Sequence, residues 1–266
     1  MYLTKARVHK IEAVTRDCFT LFLKEKNIAE KAVPGQFVHI RLSPGLHPLL
    51  RRPFSIAGTV PAQETFRLLV RAVGEGTRFL QNVQEGQSLD CLGPLGSGFL
   101  PRMPPYVLVA GGIGVAPLVF LAQHLSLENH PLTFYYGTAS AQDRVPLQMW
   151  LPDSVQFIEA TEDGSVGYQG RVTDALHNEI RKGNMPGEIF ACGPAPMLRE
   201  MVRLNAGWGV PMQVSLEERM ACGTGACQGC VVEIDREKET DFLRVCREGP
   251  VFDADKVVEF RGETKG

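Results

Sequence analysis

The stretch ACGTGACQGC, residues 221–230, sets three cysteines and three glycines within ten positions, and Cys246 follows Cys230 after fifteen intervening residues. The order is therefore Cys222, four residues, Cys227, two residues, Cys230, fifteen residues, Cys246. Thiolates bind soft metals and metal–sulfur cores. Glycines such as Gly223, Gly225 and Gly229 admit backbone conformations closed to other residues, so a chain can wrap closely around a small core and aim N–H groups at it.

Structural zinc usually takes two Cys-x-x-Cys pairs or a Cys/His mixture. Only one such pair exists here, with no histidine between 221 and 266. The plant-type [2Fe–2S] spacing, Cys-x4-Cys-x2-Cys and then a distant Cys, fits instead. Cys222, Cys227, Cys230 and Cys246 are assigned as the metal ligands, with Cys192 the rival for the last place. The seven cysteines are an odd number, and in a reducing compartment clustered thiols point to metal or redox chemistry rather than disulfides. Cys18 and Cys91 lie in strand-like apolar surroundings and read as small buried hydrophobes.

A one-electron centre needs a donor and an acceptor. In RRPFSIAG, residues 51–58, Arg52 can pair with a phosphate, Phe54 can lie on a flat ring, and Ser55 can hydrogen-bond a ring heteroatom. The competing reading of that stretch is a surface strand with a salt-bridged arginine. GEGTRFL, residues 74–80, offers Gly76 and Thr77 at the start of a short helix, where backbone N–H groups favour an anion. VLVAGGIGVAPL, residues 107–118, sets a glycine turn between a buried strand and a helix; Gly111, Gly112 and Gly114 permit close approach to a pyrophosphate. ACGPAPML places Cys192, Gly193 and Pro194 at the carboxyl end of another strand, where open α/β sheets bind ligands. There Cys192 either borders a nicotinamide or is a buried strand-end thiol.

These residues need a scaffold, and 266 residues are enough for two or three modules. Residues 1–100 alternate apolar and polar side chains between Pro-Gly and Gly-Glu punctuation, which predicts an antiparallel barrel or sandwich. PRMPP, residues 101–105, reads as a linker. From residue 106 continuous apolar strands (YVLVA, LTFYYG, VQFIEA, EIFACG) alternate with helical stretches near 118–125, 144–150, 172–181 and 195–207. Leu118, Leu121, Ala122 and Leu125 share one helical face, and Gly207 is predicted to close the last helix. This alternation predicts a doubly wound parallel sheet over 101–215, with the cysteine module in 216–266. The fold class is thus a β-barrel followed by an α/β domain and a small cysteine-loop module.

The net charge of −2 gives no sign of a nucleic-acid or anionic-membrane surface. The N-terminus has no signal-peptide core, and the longest apolar run is broken by Gly and Pro short of the roughly 18 residues a membrane helix needs. A soluble, cytoplasmic protein is expected.

Together these motifs resemble the ferredoxin-NADP reductase superfamily. Arg52-Pro53-Phe54-Ser55 is similar to its flavin motif, with Phe54 where many members have tyrosine. Gly76-Thr77 is similar to its FAD phosphate contact, and AGGIGVAP with CGP to its pyridine-nucleotide motifs. The order of modules, and SLEERMACGTGACQGCVV above all, resembles the electron-transfer subunit of type B dihydroorotate dehydrogenase. The resemblance implies FAD, one [2Fe–2S] cluster and NAD as cofactors. The flavin residues it implies are Arg52, Pro53, Phe54, Ser55, Leu69, Val70, Arg71, Gly76 and Thr77. It also implies a partner: an FMN-containing dihydroorotate dehydrogenase catalytic subunit of pyrimidine synthesis, in a heterotetramer of two plus two. The flavin would stand between NAD, which exchanges electron pairs, and the cluster, which exchanges single electrons. No basic pair follows YYGTAS beyond the nearby Arg144, which favours NAD over NADP. The rival is a related flavin and iron–sulfur subunit of a sulfide dehydrogenase or an NADH-dependent ferredoxin:NADP oxidoreductase.

Overall fold

The structure, a computed structural model, describes residues 1–42, 45, 48–235 and 240–260. The N-terminal strands are β1 (Tyr2–Ala13), β2 (Cys18–Lys24), β3 (Phe37–Arg41), β4 (Arg52–Val60), β5 (Thr65–Arg71) and β6 (Ser88–Leu95), with short helices α1 (Lys26–Lys31) and α2 (Glu75–Gln81) between them. They close into a barrel in the order β1-β2-β5-β4-β3-β6, every pairing antiparallel. Inward side chains such as Val8, Leu21, Ile40, Ile56 and Leu68 fill its core. The alternating pattern of residues 1–100 therefore becomes a barrel rather than a sandwich.

The chain then switches from period two to buried runs. A seven-stranded sheet contains β7 (Tyr106–Gly111), β8 (Leu132–Thr138), β9 (Gln156–Thr161), β10 (Tyr168–Gln169), β11 (Glu188–Cys192) and β12 (Met212–Ser215). Helices α3 (Val115–Ser126), α4 (Val172–Arg181) and α5 (Ala195–Trp208) are interleaved with these strands. The order is β10-β9-β8-β7-β11-β12, all parallel, and every residue of β7 and β11 is buried, as a strand covered on both faces requires. The last strand of the sheet comes from beyond the cysteines. After the hairpin of β13 (Val231–Asp235) and β14 (Thr240–Arg244), β15 (Val251–Asp253) returns and pairs antiparallel with β12.

Helix α3 holds barrel and sheet together. Leu118, Leu121, Ala122 and Leu125 share a face as predicted, but Phe120 is buried too, in the barrel core. A helix sandwiched between two layers needs two apolar faces.

Two local expectations are corrected. Residues 144–150 form no α-helix: two three-residue 3-10 turns, 141–143 and 147–149, flank Pro146, which can donate no backbone hydrogen bond. Helix α5 runs past Gly207 and closes at Gly209, whose left-handed backbone (φ 66°) lets its N–H donate to the Asn205 carbonyl. Among the described residues no helix is long and apolar enough to cross a membrane.

Candidate functional site

Three sites lie along one path. The first is a cavity of about 580 Å³ between barrel and sheet, lined by Pro53, Phe54 and Ser55 of β4 and by Leu69, Val70 and Arg71 of β5. The β3 register sets Phe37 opposite Ser55, Val38 opposite Phe54 and His39 opposite Pro53, and Phe37 joins the lining. The far wall is Ile113 together with the strip from Ser215 to Met220 that leads out of β12. Arg52 does not line this cavity; its guanidinium is exposed and donates to the carbonyls of Leu50 and Arg51. Gly76 and Thr77 stand in the first turn of α2. There the Thr77 hydroxyl accepts from the Gly74 N–H at 3.1 Å, and a Cβ on Gly76 would overlap Leu42.

The second cavity, of about 480 Å³, opens at the carboxyl ends of the parallel strands. Gly111, Gly112, Thr138, Glu162, Arg171 and Pro194 are in its wall, and Arg71 lines both cavities. The glycines here play different parts. Gly112 takes a left-handed turn (φ 53°), whereas Gly114 lets α3 approach β11, because a Cβ there would lie 2.5 Å from the Cys192 carbonyl oxygen. A Cβ on Gly193 would lie 2.6 Å from the methyl of Met197. Cys192 lines neither cavity. It is 2% exposed at the end of β11, with its thiol pushed well up by burial, which matches the strand-end alternative. Arg144 is tied to the Glu159 carboxylate, with Nη2–Oε2 at 2.9 Å.

The third site is the cysteine loop. Cys222 Sγ accepts from the backbone N–H groups of Thr224 and Cys227, each at 3.4 Å. Burial alone would raise this thiol, but those donors outweigh it and bring it down to about 6. The Cys246 N–H donates to Cys230 Sγ, also at 3.4 Å, and both residues are buried. Burial and the neighbouring Cys230 push Cys246 up to about 12. Gly223 (φ 70°) and Gly225 (φ 83°) make the left-handed turns of the loop. The Gly225 carbonyl accepts from Arg244 Nη1 at 3.0 Å, and Arg244 is paired with Glu248.

The donor set fits a [2Fe–2S] core. In such a core each iron takes two thiolates, so no three ligands need meet at one point, and among the described residues no three Cys, His, Asp or Glu side chains do. Backbone N–H groups already face sulfur at Cys222 and Cys230.

Sequence reasoning passed over three residues. Glu217, in the wall of the first cavity, has its carboxyl raised by burial; it sits in the quoted SLEERM stretch without an assigned part. Glu162 follows the last residue of β9, where an acidic neighbour in a loop gives no periodic signal. His39 is fully buried in β3, and its placement in an otherwise apolar run, FVHI, was the available signal.

Residues 5–99 match the oxidoreductase FAD-binding domain, residues 108–203 the oxidoreductase NAD-binding domain, and residues 217–258 the iron-sulfur cluster binding domain of dihydroorotate dehydrogenase B. The fold and these three domains define a flavin- and NAD-dependent oxidoreductase with an iron–sulfur module. The chain is 38% identical over 257 residues to the dihydroorotate dehydrogenase B (NAD(+)) electron transfer subunit of Desulforamulus reducens, covering 95% of this chain and 97% of that protein. It is 35% identical to the subunit of the same name from Fusobacterium nucleatum, covering 97% and 99%. The chain belongs to the family of dihydroorotate dehydrogenase B electron transfer subunits. Among solved structures, the NADH-dependent reduced ferredoxin-NADP oxidoreductase superposes with a TM-score of 0.85 at 29% identity, over 96% of this chain and 90% of that one. The ferredoxin reductase of carbazole 1,9a-dioxygenase, at 23% identity, shares the fold with a TM-score of 0.70 over 80% and 68%.

Proposed function

We propose that this chain is the electron-transfer subunit of a cytoplasmic dihydroorotate dehydrogenase of pyrimidine synthesis. It would dock on an FMN-containing catalytic subunit in a heterotetramer of two plus two. When bound, NAD would exchange electrons as hydride, FAD would convert between pairs and single electrons, and a [2Fe–2S] cluster would carry one at a time. In this reading Pro53, Phe54, Ser55, Leu69, Val70 and Arg71 hold the flavin ring in the first cavity, and Arg52, Gly76 and Thr77 serve its phosphates. Gly111, Gly112 and Gly114, with Cys192, Gly193 and Pro194, shape the nicotinamide-nucleotide site. Gly112 and Pro194 form its wall, while Gly114 and Cys192 support it from behind. Cys222, Cys227, Cys230 and Cys246 hold the cluster.

The observation that carries the reading is continuity. Arg71 belongs to both cavities, and the Ser215–Met220 strip walls the first before running directly into Cys222. The shared walls set the two cavities edge to edge with the cysteine loop immediately beyond, and this supports the proposed carrier order. The test is reconstitution with the subunit that co-purifies with the native chain. NADH formation from dihydroorotate should require both chains, and the co-purified partner should contain FMN. A partner that instead oxidises sulfide or ferredoxin overturns the substrate while leaving the carrier order intact.

A further inference from the structure

His39 is 0% exposed in the middle of β3, and neither of its ring nitrogens has a hydrogen-bond partner among the described residues. A buried imidazole carries at least one N–H in either protonation state, and leaving such a donor unmet is costly. Its surroundings show what could meet it. On one side the β3–β4 register sets it opposite Pro53, in the wall of the first cavity. On the other, its Nδ1 abuts Gly223 so closely that any Cβ there would overlap the ring, in a loop residue whose φ of 70° already demands glycine. The backbones of Cys222 and Arg51 lie close enough to affect the ring's charge without meeting hydrogen-bond geometry. On the Arg51 side the acceptor is a neutral backbone carbonyl that already receives a hydrogen bond from the Arg52 guanidinium at 3.2 Å. On the side where Nδ1 abuts the cysteine loop the chemistry expected is anionic sulfur, and an ionised acceptor is the stronger of the two.

We infer that His39 donates its imidazole N–H to the cluster or to the Cys222 thiolate, pinning the cysteine loop to the strand that faces the flavin and raising the reduction potential of the cluster. The inference rests on the [2Fe–2S] reading above. Reduction adds one electron, and hence one negative charge, to the metal–sulfur core. A donor aimed at sulfur stabilises the reduced form more than the oxidised form. His39 is thus a positioning and tuning residue rather than a catalytic one, and a donor of similar reach should replace part of its effect.

The test uses the full chain loaded with flavin and cluster, comparing wild type with His39→Leu and His39→Gln. Iron, sulfide and FAD are quantified, and the cluster is titrated with electron paramagnetic resonance as the readout. The His39→Leu cluster should titrate at least 59 mV lower, a tenfold change in a one-electron equilibrium. His39→Gln should recover part of that shift, with FAD content unchanged in both. A wild-type potential in His39→Leu overturns the inference. If His39→Leu fails to retain iron, the readout becomes the reduced wild-type cluster in protein carrying ¹⁵N-histidine. A nitrogen hyperfine coupling, with an exchangeable proton beside it, is then expected, and its absence overturns the inference. A wild-type chain with no reducible cluster at all refutes the [2Fe–2S] reading itself, an outcome distinct from an unshifted potential.

Discussion

The backbone N–H of Cys246 donates to Sγ of Cys230 across 3.4 Å, joining two residues that the β13–β14 hairpin brings together. Cys192, which competes with Cys246 by sequence alone, is instead enclosed with Phe190 and Leu108 between the central sheet and α3. Cys246→Ser is expected to lose most of the bound iron and sulfide, while Cys192→Ser keeps both. Iron and sulfide analysis of the two purified variants checks this, and equal iron loss in both contradicts it.

Gly114→Ala tests the packing behind the second cavity. The added methyl would meet the Cys192 carbonyl at 2.5 Å, a backbone atom that cannot turn aside, so α3 must move off β11. Such overpacking costs about 1–3 kcal/mol. Thermal unfolding should shift down by several degrees; an unchanged transition would mean that the helix has room to spare.

Glu162 sits in the wall of the second cavity, its backbone N–H held by the Thr138 carbonyl at 3.1 Å. With a nicotinamide nucleotide in that cavity, as proposed, a carboxylate there would accept a hydrogen bond from a ribose hydroxyl and repel a 2′-phosphate. Flavin reduction by NADH should outpace that by NADPH at least tenfold, about 1.4 kcal/mol of discrimination. Glu162→Gln should narrow the gap by raising the NADPH rate. Stopped-flow rates with both nucleotides decide, and a faster wild-type reaction with NADPH reverses the assignment.

Arg244 supports the cysteine loop through the Gly225 carbonyl and is held by Glu248. The side-chain hydrogen bond from Arg244 outweighs partial burial and lowers the Glu248 carboxyl from its usual 4.5 to about 2. A depressed carboxyl stabilises the fold fully above its unfolded value, and the contribution fades as pH falls from 4.5 toward 2. The pair is partly exposed, so screening limits it to on the order of 1 kcal/mol. Glu248→Gln is therefore expected to destabilise the apoprotein at pH 7 and to be neutral near pH 2, compared by denaturant unfolding at both values. A pH-independent difference would assign the effect to packing.

Much of this was legible in the sequence because local chemistry fixes it. The period-two runs gave the barrel strands, the apolar runs β7 and β11 gave the buried parallel sheet, and the spacing of Cys222, Cys227 and Cys230 left few alternatives. What escaped depends on distant chain segments. Cys246 was assigned ahead of Cys192 on spacing, but the hairpin register that sets it beside Cys230 carries no local signal. The return of Val251–Asp253 to pair with β12 is a three-residue tertiary contact with no periodic signature. Phe120, on the second apolar face of α3, could be understood only once the barrel stood behind it. The turns at 141–143 and 147–149 show Pro146 overriding a helical pattern.

The central claim is that the chain exchanges electron pairs with NAD(H) and single electrons through the cysteine loop. Its most direct test is to reduce the anaerobic, fully loaded chain with NADH alone and record the electron paramagnetic resonance spectrum at cryogenic temperature. The expected result is a [2Fe–2S] signal approaching one spin per chain that disappears in Cys222→Ser, while the flavin of that variant is still bleached by NADH. A silent spectrum from wild-type protein with its iron loaded and its flavin bleached would contradict the account.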